Sequence, residues 1–309
     1  MRELNYKFQV PDQKKVRVIV HTDCKNEADD QFALVHHLLT PKFLIKGIIG
    51  GHFNRTPKRW GAGCTAQASM EEIKKILYLM DMEGICPVQK GSEYGLSDEQ
   101  TPRDSDGVRL LIEEAMKDDP HPLYVVCQGA VTDLASAILL KPEICSRMTA
   151  VWIGGGVYPK GGWEFNTFQD IAAVNVVMES QMPFWQIPAN VYEQMDVTFA
   201  ELQERVQPCG AIGDYLFRQL TEFSAANPEN PWPSGESWCL GDSPGVSVLL
   251  ERESKTGIYE EIDAPRVDPE DMTYTFGKRN RKIRVYNQVN VRLTLEDFYA
   301  KLALNFRDK

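Results

Sequence analysis

Four carboxylates, Asp23, Glu27, Asp29 and Asp30, crowd the segment that follows Val16-Arg17-Val18-Ile19-Val20-His21-Thr22. That β-branched run has the composition of a buried strand. A second apolar stretch, Phe32-Ala33-Leu34-Val35 through Leu38-Leu39, follows with helical character. Like charges packed this closely repel one another, and the cost calls for a cation or a hydroxyl-rich ligand. Acid runs are more often solvated loops. These acids, however, lie between a buried strand and a buried helix, at the carboxyl end of a strand, where α/β proteins bind ligands.

Other apolar runs also end in polar or glycine-rich residues. They are Gly50-Gly51-His52-Phe53-Asn54, Cys127-Gln128-Gly129 and Ile153-Gly154-Gly155-Gly156, with Glu164-Phe165-Asn166 and Gly241-Asp242-Ser243-Pro244 further on. In a parallel sheet all of these gather on one edge. That edge then carries Asp23, Asp29, Asp30, Asn54, Glu164, Asn166 and Asp242. Such an oxygen-rich set suits a hard cation, Ca²⁺ or Mg²⁺, bound together with a polyhydroxylated ligand. The 5 histidines and 7 scattered cysteines offer no zinc spacing. Cys24 lies inside the acid loop, where neighbouring carboxylates disfavour a thiolate nucleophile.

The elements that must position these residues alternate along the chain. Strands are expected at 16–21, 44–49, 123–127, 150–153 and 184–187. Helices are expected at 30–39, 66–79, 107–116, 133–140 and 170–179. This alternation predicts an α/β fold, a mostly parallel central sheet with helices on both faces, in a single domain over residues 1–309. The Pro-rich stretch 227–235 is a loop. A β-rich tail at 274–291 and an amphipathic helix at 295–304 close the chain.

Composition narrows the partners. A 309-residue chain with 43% hydrophobic and 25% charged residues has ample material for a globular core. The net charge of −10 argues against a nucleic-acid backbone as partner. The one basic run, Lys278-Arg279-Asn280-Arg281-Lys282-Ile283-Arg284, is expected to be a solvated hairpin or loop. No apolar run approaches the roughly 20 residues of a membrane span. Residues 1–15 are polar and lack a signal-peptide layout. Unpatterned cysteines then predict reduced thiols in a cytoplasmic protein.

Taken in order, the motifs resemble the nucleoside hydrolase family, the calcium-dependent N-ribohydrolases related to inosine-uridine nucleoside hydrolase. Asp23, Asp29 and Asp30 match its Asp-rich loop after the first strand, and the interval to Asn54 fits without a gap. Trp163-Glu164-Phe165-Asn166 matches its Glu-Phe-Asn element, and Asp242 its C-terminal metal aspartate. The resemblance implies that Asp23, Asp30 and Asp242 hold Ca²⁺, with Gln128 adding its backbone carbonyl. It implies Asp23 as general base toward water. Asp29, Asn54 and Asn166 would bind the ribose 2′- and 3′-hydroxyls, Glu164 the 5′-hydroxyl, and Asp242 would also touch substrate. The implied activity is hydrolysis of the N-glycosidic bond of a ribonucleoside or related ribosylated small molecule, by a homo-oligomer.

The chain departs from that pattern in three places. Cys24-Lys25-Asn26-Glu27-Ala28 makes the acid loop longer than usual and replaces a Pro-Gly turn, as in a nucleoside hydrolase-like branch of the family. Lys25 could pair with Glu27 or sit near the metal. Gly241 stands where the inosine-uridine enzymes carry a histidine proposed to protonate the leaving base. Trp163, Trp232 and Trp238 could stack on a base, or equally pack in core and loop. Around Tyr158-Pro159-Lys160 an asparagine expected before the Glu-Phe-Asn element is replaced. His52 lies near the pocket but is read as structural, and His36 and His37 as helix packing. Two other functions remain open on this reading. One is hydrolysis of another glycoside; the other is non-catalytic, Ca²⁺-dependent sugar binding.

Overall fold

The computed structural model describes residues 3–57, 60–229, 234–251, 257–277 and 281–307. The first half of the chain runs β1 (Val16–Thr22), α1 (Asp30–Leu38), β2 (Phe43–Gly50), α2 (Thr65–Leu79), β3 (Val88–Lys90), α3 (Asp106–Ala115), β4 (Leu123–Gln128), α4 (Thr132–Leu140) and β5 (Met148–Ile153). Next come α5 (Phe165–Gln169), α6 (Ile171–Glu179), β6 (Phe184–Ile187), α7 (Ala189–Tyr192), β7 (Asp196–Thr198), α8 (Phe199–Arg205) and α9 (Gly210–Ala225). The chain then forms β8 (Ser237–Cys239), α10 (Pro244–Leu250), β9 (Tyr259–Asp263), β10 (Arg266–Val267), β11 (Tyr274–Thr275), β12 (Lys282–Tyr286) and α11 (Val291–Phe306).

Eight strands form one sheet in the order β3-β2-β1-β4-β5-β6-β12-β9. Every pairing is parallel except that of β12 with the edge strand β9. The expected α/β architecture is therefore present. Burial on both faces explains why the central strands read as unbroken apolar runs. Val18 and Val20 of β1 join a core with α1, α2 and α8 to α11, while Ile19 joins one with α3, α4 and α6. Side chains at helix starts close the layer. Ser105 accepts from Val108 N at the start of α3, and Asp170 from Ala173 N at the start of α6, each at 3.0 Å.

The β-rich tail and closing helix expected at 274–291 and 295–304 are present as β11, β12 and α11, while the basic run differs from expectation. The last three residues of the basic run that reach the sheet, Lys282, Ile283 and Arg284, begin β12 rather than a solvated loop. Arg281 is buried, its guanidinium donating to the carbonyl oxygens of Met182 and Lys282. Residues 278–280 lie outside the described residues, as do 230–233 of the Pro-rich stretch, including Trp232. Among the described residues no helix is long and apolar enough to cross a membrane.

Register delivers the strand ends to one edge. Thr22 at the end of β1 pairs with Gly50 on β2 and with Gln128 on β4. Cys127 pairs with Trp152, and Ile153 with Ile187. The loops after β1, β4, β5 and β6 thus leave the sheet side by side.

Candidate active site

The acid loop turns back on itself as soon as β1 ends, with Asn26 N donating to Asp23 O at 2.8 Å. α1 then starts at Asp30, whose Oδ1 accepts the Thr22 hydroxyl. Asp23, Asp29 and Asp30 are almost fully buried, so this is no solvated loop. Asp242 arrives from far along the chain, just before α10, and its N–H donates to Asp29 Oδ2 at 3.2 Å. Carboxylate oxygens of Asp29, Asp30 and Asp242 all lie within 4.8 Å of one another. Asp23 stands outside that three-residue cluster but lines one cavity with it, against Gly129, where a Cβ would come within 2.8 Å of the Asp23 carboxyl carbon. A side chain at 129 would push the carboxylate out of place.

A cavity of about 50 Å³ lies among these groups. Its walls carry the carboxylates of Asp23, Glu27, Asp29, Asp30, Glu164 and Asp242 and, among the described residues, no Lys, Arg or His. Burial first, then repulsion from Asp30, Glu27 and Asp29, holds the Asp23 carboxyl well above its ordinary range. Burial and neighbouring aspartates do the same to Asp30 and Asp242. Burial pushes Asp29 up to about 6. Asp23 Oδ2 and Asp29 Oδ1 are buried without a hydrogen-bond partner among the described residues. Buried carboxylates left this way are costly unless a counter-charge meets them. An all-oxygen, acidic donor set fits a hard divalent cation, and the buried aspartate cluster could bind one.

Of the residues expected to hold the cation or the sugar, all but Asn54 line this cavity. Asn54 Oδ1 instead accepts Gly63 N–H at 2.8 Å, and the residue faces a separate cavity with Arg55, Arg103 and Gln169. Closing the loop after β2 takes up its amide. Asn166 donates from Nδ2 to Ile153 O at 2.9 Å. Glu164 caps α5 and accepts five hydrogen bonds, from Gly155 N, Asn166 N, Thr167 N, Thr167 Oγ1 and Tyr192 OH.

Gln128 shares the sheet face of Thr22, because paired residues on neighbouring strands point the same way. It is 1 % exposed, yet neither Oε1 nor Nε2 has a partner among the described residues. Gln128→Leu is therefore expected to leave the cation-free protein as stable, or about 1 kcal/mol more stable. Urea denaturation in chelator measures this. A loss of stability would show that the amide has a partner.

Tyr192, on α7 at the end of β6, also lines the cavity and escaped the sequence reading. The rule that ligands gather at strand ends could have found it. Its ring explains Gly241: a Cβ there would lie 3.1 Å from Tyr192 Cδ2 and 3.5 Å from Asp29 Oδ2. The tyrosine occupies the space that a larger side chain at 241 would need.

Lys25 pairs with neither expected group. Its Nζ lies 2.9 Å from Glu72 Oε2 on α2 and 3.5 Å from Tyr215 OH on α9. A second cavity of about 520 Å³ opens beside it, lined by Trp60, Lys75, Tyr215 and Phe223 among others. Asn26 and Glu27 line both cavities. The tryptophans named from the sequence lie elsewhere: Trp163 is 67 % exposed, and Trp238 is buried edge-on to Phe223.

The histidines are structural. His52 Nε2 bonds Thr132 Oγ1 at 2.7 Å, His36 Nε2 bonds Asp297 Oδ2 at 2.8 Å, and His37 Nδ1 bonds Ala33 O at 2.8 Å. Burial lowers His36 and His52 to about 4 and His37 to about 3. The unfolded chain binds these protons near pH 6.5 and the folded chain does not, so stability falls as pH drops from there toward 4. Against a His37→Gln variant, the wild type should lose up to about 1.4 kcal/mol per pH unit in that window. Parallel stability profiles for the two proteins would contradict this.

Known proteins share this architecture. The family model for inosine-uridine preferring nucleoside hydrolase matches residues 18–297. Pyrimidine-specific ribonucleoside hydrolase RihA of Salmonella paratyphi A is 24% identical over 265 residues, covering 74% of this chain and 81% of the relative. RihA of Klebsiella pneumoniae is 22% identical over the same shares. Among solved structures, an inosine-guanosine nucleoside hydrolase superposes with a TM-score of 0.72 at 17% identity, covering 93% of this chain and 98% of the other. A purine-preferring ribonucleoside hydrolase from Gardnerella vaginalis gives 0.71 at 20% identity, covering 94% and 99%. At such identities the superpositions establish the fold, while the family match runs across nearly the whole chain. The chain belongs to the inosine-uridine preferring nucleoside hydrolase family and is a hydrolase acting on ribonucleosides.

Proposed function

We propose that the acid pocket binds Ca²⁺ and that the chain uses it to hydrolyse the N-glycosidic bond of a ribonucleoside, releasing base and ribose. The observation that carries this reading is a buried wall of carboxylates with no cationic side chain among the described residues and with orphaned oxygens on Asp23 and Asp29. Asp23, Asp30, Asp242 and the Gln128 backbone carbonyl would hold the ion. When bound, Ca²⁺ supplies positive charge that acidifies and orients water.

Asp23 acts as general base, accepting a proton from the attacking water. Asp29, Asp242 and Asn166 hold ribose hydroxyls. Glu164 keeps the Asn166 backbone in place and faces the 5′ end of the sugar. Asn54 would have to release Gly63 to reach the sugar. Cleavage passes through an oxocarbenium-like state, which the surrounding carboxylates stabilise. The base occupies the neighbouring 520 Å³ cavity, where Trp60, Tyr215 and Phe223 offer aromatic faces. The named relatives act on pyrimidine and on purine nucleosides, so the proposed substrate class is the ribonucleoside without a base preference. The resemblance also brings a homo-oligomer into this proposal, and the unpatterned cysteines a cytoplasmic location.

A ribonucleoside panel tests it, with reducing sugar measured in Ca²⁺ and after chelation. Chelator-sensitive ribose release is expected. Absence of release from every nucleoside, by protein that holds Ca²⁺, would overturn the reading in favour of another glycoside or a binding role.

A further inference from the structure

We infer that Lys25 is the leaving-group residue of this chain: its ammonium, held at the wall of the second cavity by Glu72 and Tyr215, stabilises the negative charge that develops on the departing base. This inference rests on the proposed nucleoside hydrolysis and deepens it.

Position 241 cannot supply that help, since it is glycine and Tyr192 crowds the space beside it. Among the described residues the acid cavity has no cationic side chain in its walls, and the adjoining cavity has Lys25 and Lys75. Lys75 is engaged with the outer face of a ring, its Nζ 3.9 Å from the Tyr215 centroid. Lys25 belongs to the acid loop itself, next to Asn26 and Glu27, which line both cavities. A substrate that spans the two cavities must pass this loop.

The setting of Lys25 holds its charge in place without using all its donors. Glu72 is buried and accepts from three elements: Lys25 of the loop, Tyr215 OH of α9, and Gln31 Nε2 of α1 at 3.3 Å. The glutamate charge is therefore divided among several donors. An ammonium carries three N–H groups. Two of them are accounted for by Glu72 and Tyr215, and the side chain keeps 18% exposure toward the cavity. The remaining donor is available to a ligand there.

The chemistry balances without a proton from Lys25. As the C1′–N bond breaks, its electron pair stays on the departing nitrogen. The water oxygen bonds to C1′ and its proton passes to Asp23. The nitrogen then takes a proton from solvent in the cavity. A fixed cation lowers the barrier by meeting the charge before that proton arrives, an effect typically worth about 10²–10³ in rate.

The test compares Lys25→Met and Lys25→Arg on uridine and inosine and on 4-nitrophenyl β-D-ribofuranoside, whose nitrophenolate leaves without assistance. Lys25→Met should lower kcat on the nucleosides about 10²-fold, with a loss on the nitrophenyl riboside smaller by about tenfold or more. Lys25→Arg keeps the charge and should recover most of the nucleoside rate. Equal losses on both kinds of substrate would overturn the inference, because Lys25 would then only anchor the acid loop. So would an unchanged nucleoside rate in Lys25→Met. A wild type inactive on all three substrates defeats the hydrolase reading itself, and this assignment with it, whatever the variants do.

Discussion

Asp23→Asn is expected to lower kcat for ribonucleoside hydrolysis by about 10²–10⁴, the span usual for loss of a general base. The KM should change far less, because the proposed sugar contacts come from Asp29, Asp242 and Asn166. The variant should also be more stable than the wild type in chelator. Asp23 is buried against three other acids that raise its proton affinity, and an amide removes that repulsion. Steady-state kinetics in saturating Ca²⁺, with thermal melts of the same proteins in chelator, measures both effects. A rate within about tenfold of wild type would remove Asp23 from the chemistry.

The second large effect is on stability and depends on pH. Ca²⁺ at about 100 times its dissociation constant contributes roughly 2.7 kcal/mol. For a chain of this size that corresponds to a rise in Tm of about 4 °C. The rise should be near its full value at pH 7.5 and much smaller at pH 5. In the cation-free folded chain Asp29 titrates near 6, and Asp23, Asp30 and Asp242 stay well above the usual range. The unfolded chain releases those protons near pH 4. Between these values the folded state holds protons that the unfolded state has lost, so cation-free stability falls as pH rises through about 4 to 6. Ca²⁺ replaces those protons, and its contribution grows in the same direction. No histidine lines the acid cavity among the described residues, so the difference between the two melts reads the pocket. An equal shift at both pH values would contradict this picture.

The acid pocket was legible because a buried strand, a short acidic turn and a buried helix leave the carboxylates only one place to go. The same logic applied to Gln128, Glu164 and Asn166, each at or just beyond a strand end. Asp242 was visible only through the order of motifs, since nothing local to it signals a site. Asn54 had the right spacing, but a backbone N–H nine residues away claimed its amide. Lys25 could not be assigned because its partners, Glu72 and Tyr215, come from distant helices.

Helix α9 escaped the sequence reading, and the charged start of β12 was read as a solvated hairpin or loop, each for a physical reason. α9 opens on Gly210 at φ +64°, and its Gly213 sits where a Cβ would meet Val206 O at 2.1 Å. Two helix-weakening residues thus serve a close approach to the end of α8 and mask the helical pattern. β12 carries Lys282 and Arg284, which read as solvent-facing charge. Arg284 instead lies flat over Trp185 and Tyr259, at 4.2 and 4.0 Å from their ring centres, so a cationic side chain can cover the sheet edge.

The central claim is that the pocket of Asp23, Asp29, Asp30 and Asp242 is a single divalent-cation site. Calorimetric titration of Ca²⁺ into chelator-stripped protein at pH 7.5 tests it most directly, with Asp30→Asn alongside. One ion per chain is predicted for the wild type, with binding weakened by tenfold or more, about 1.4 kcal/mol, in the variant. No binding to a wild type that still releases ribose at full rate would contradict the account.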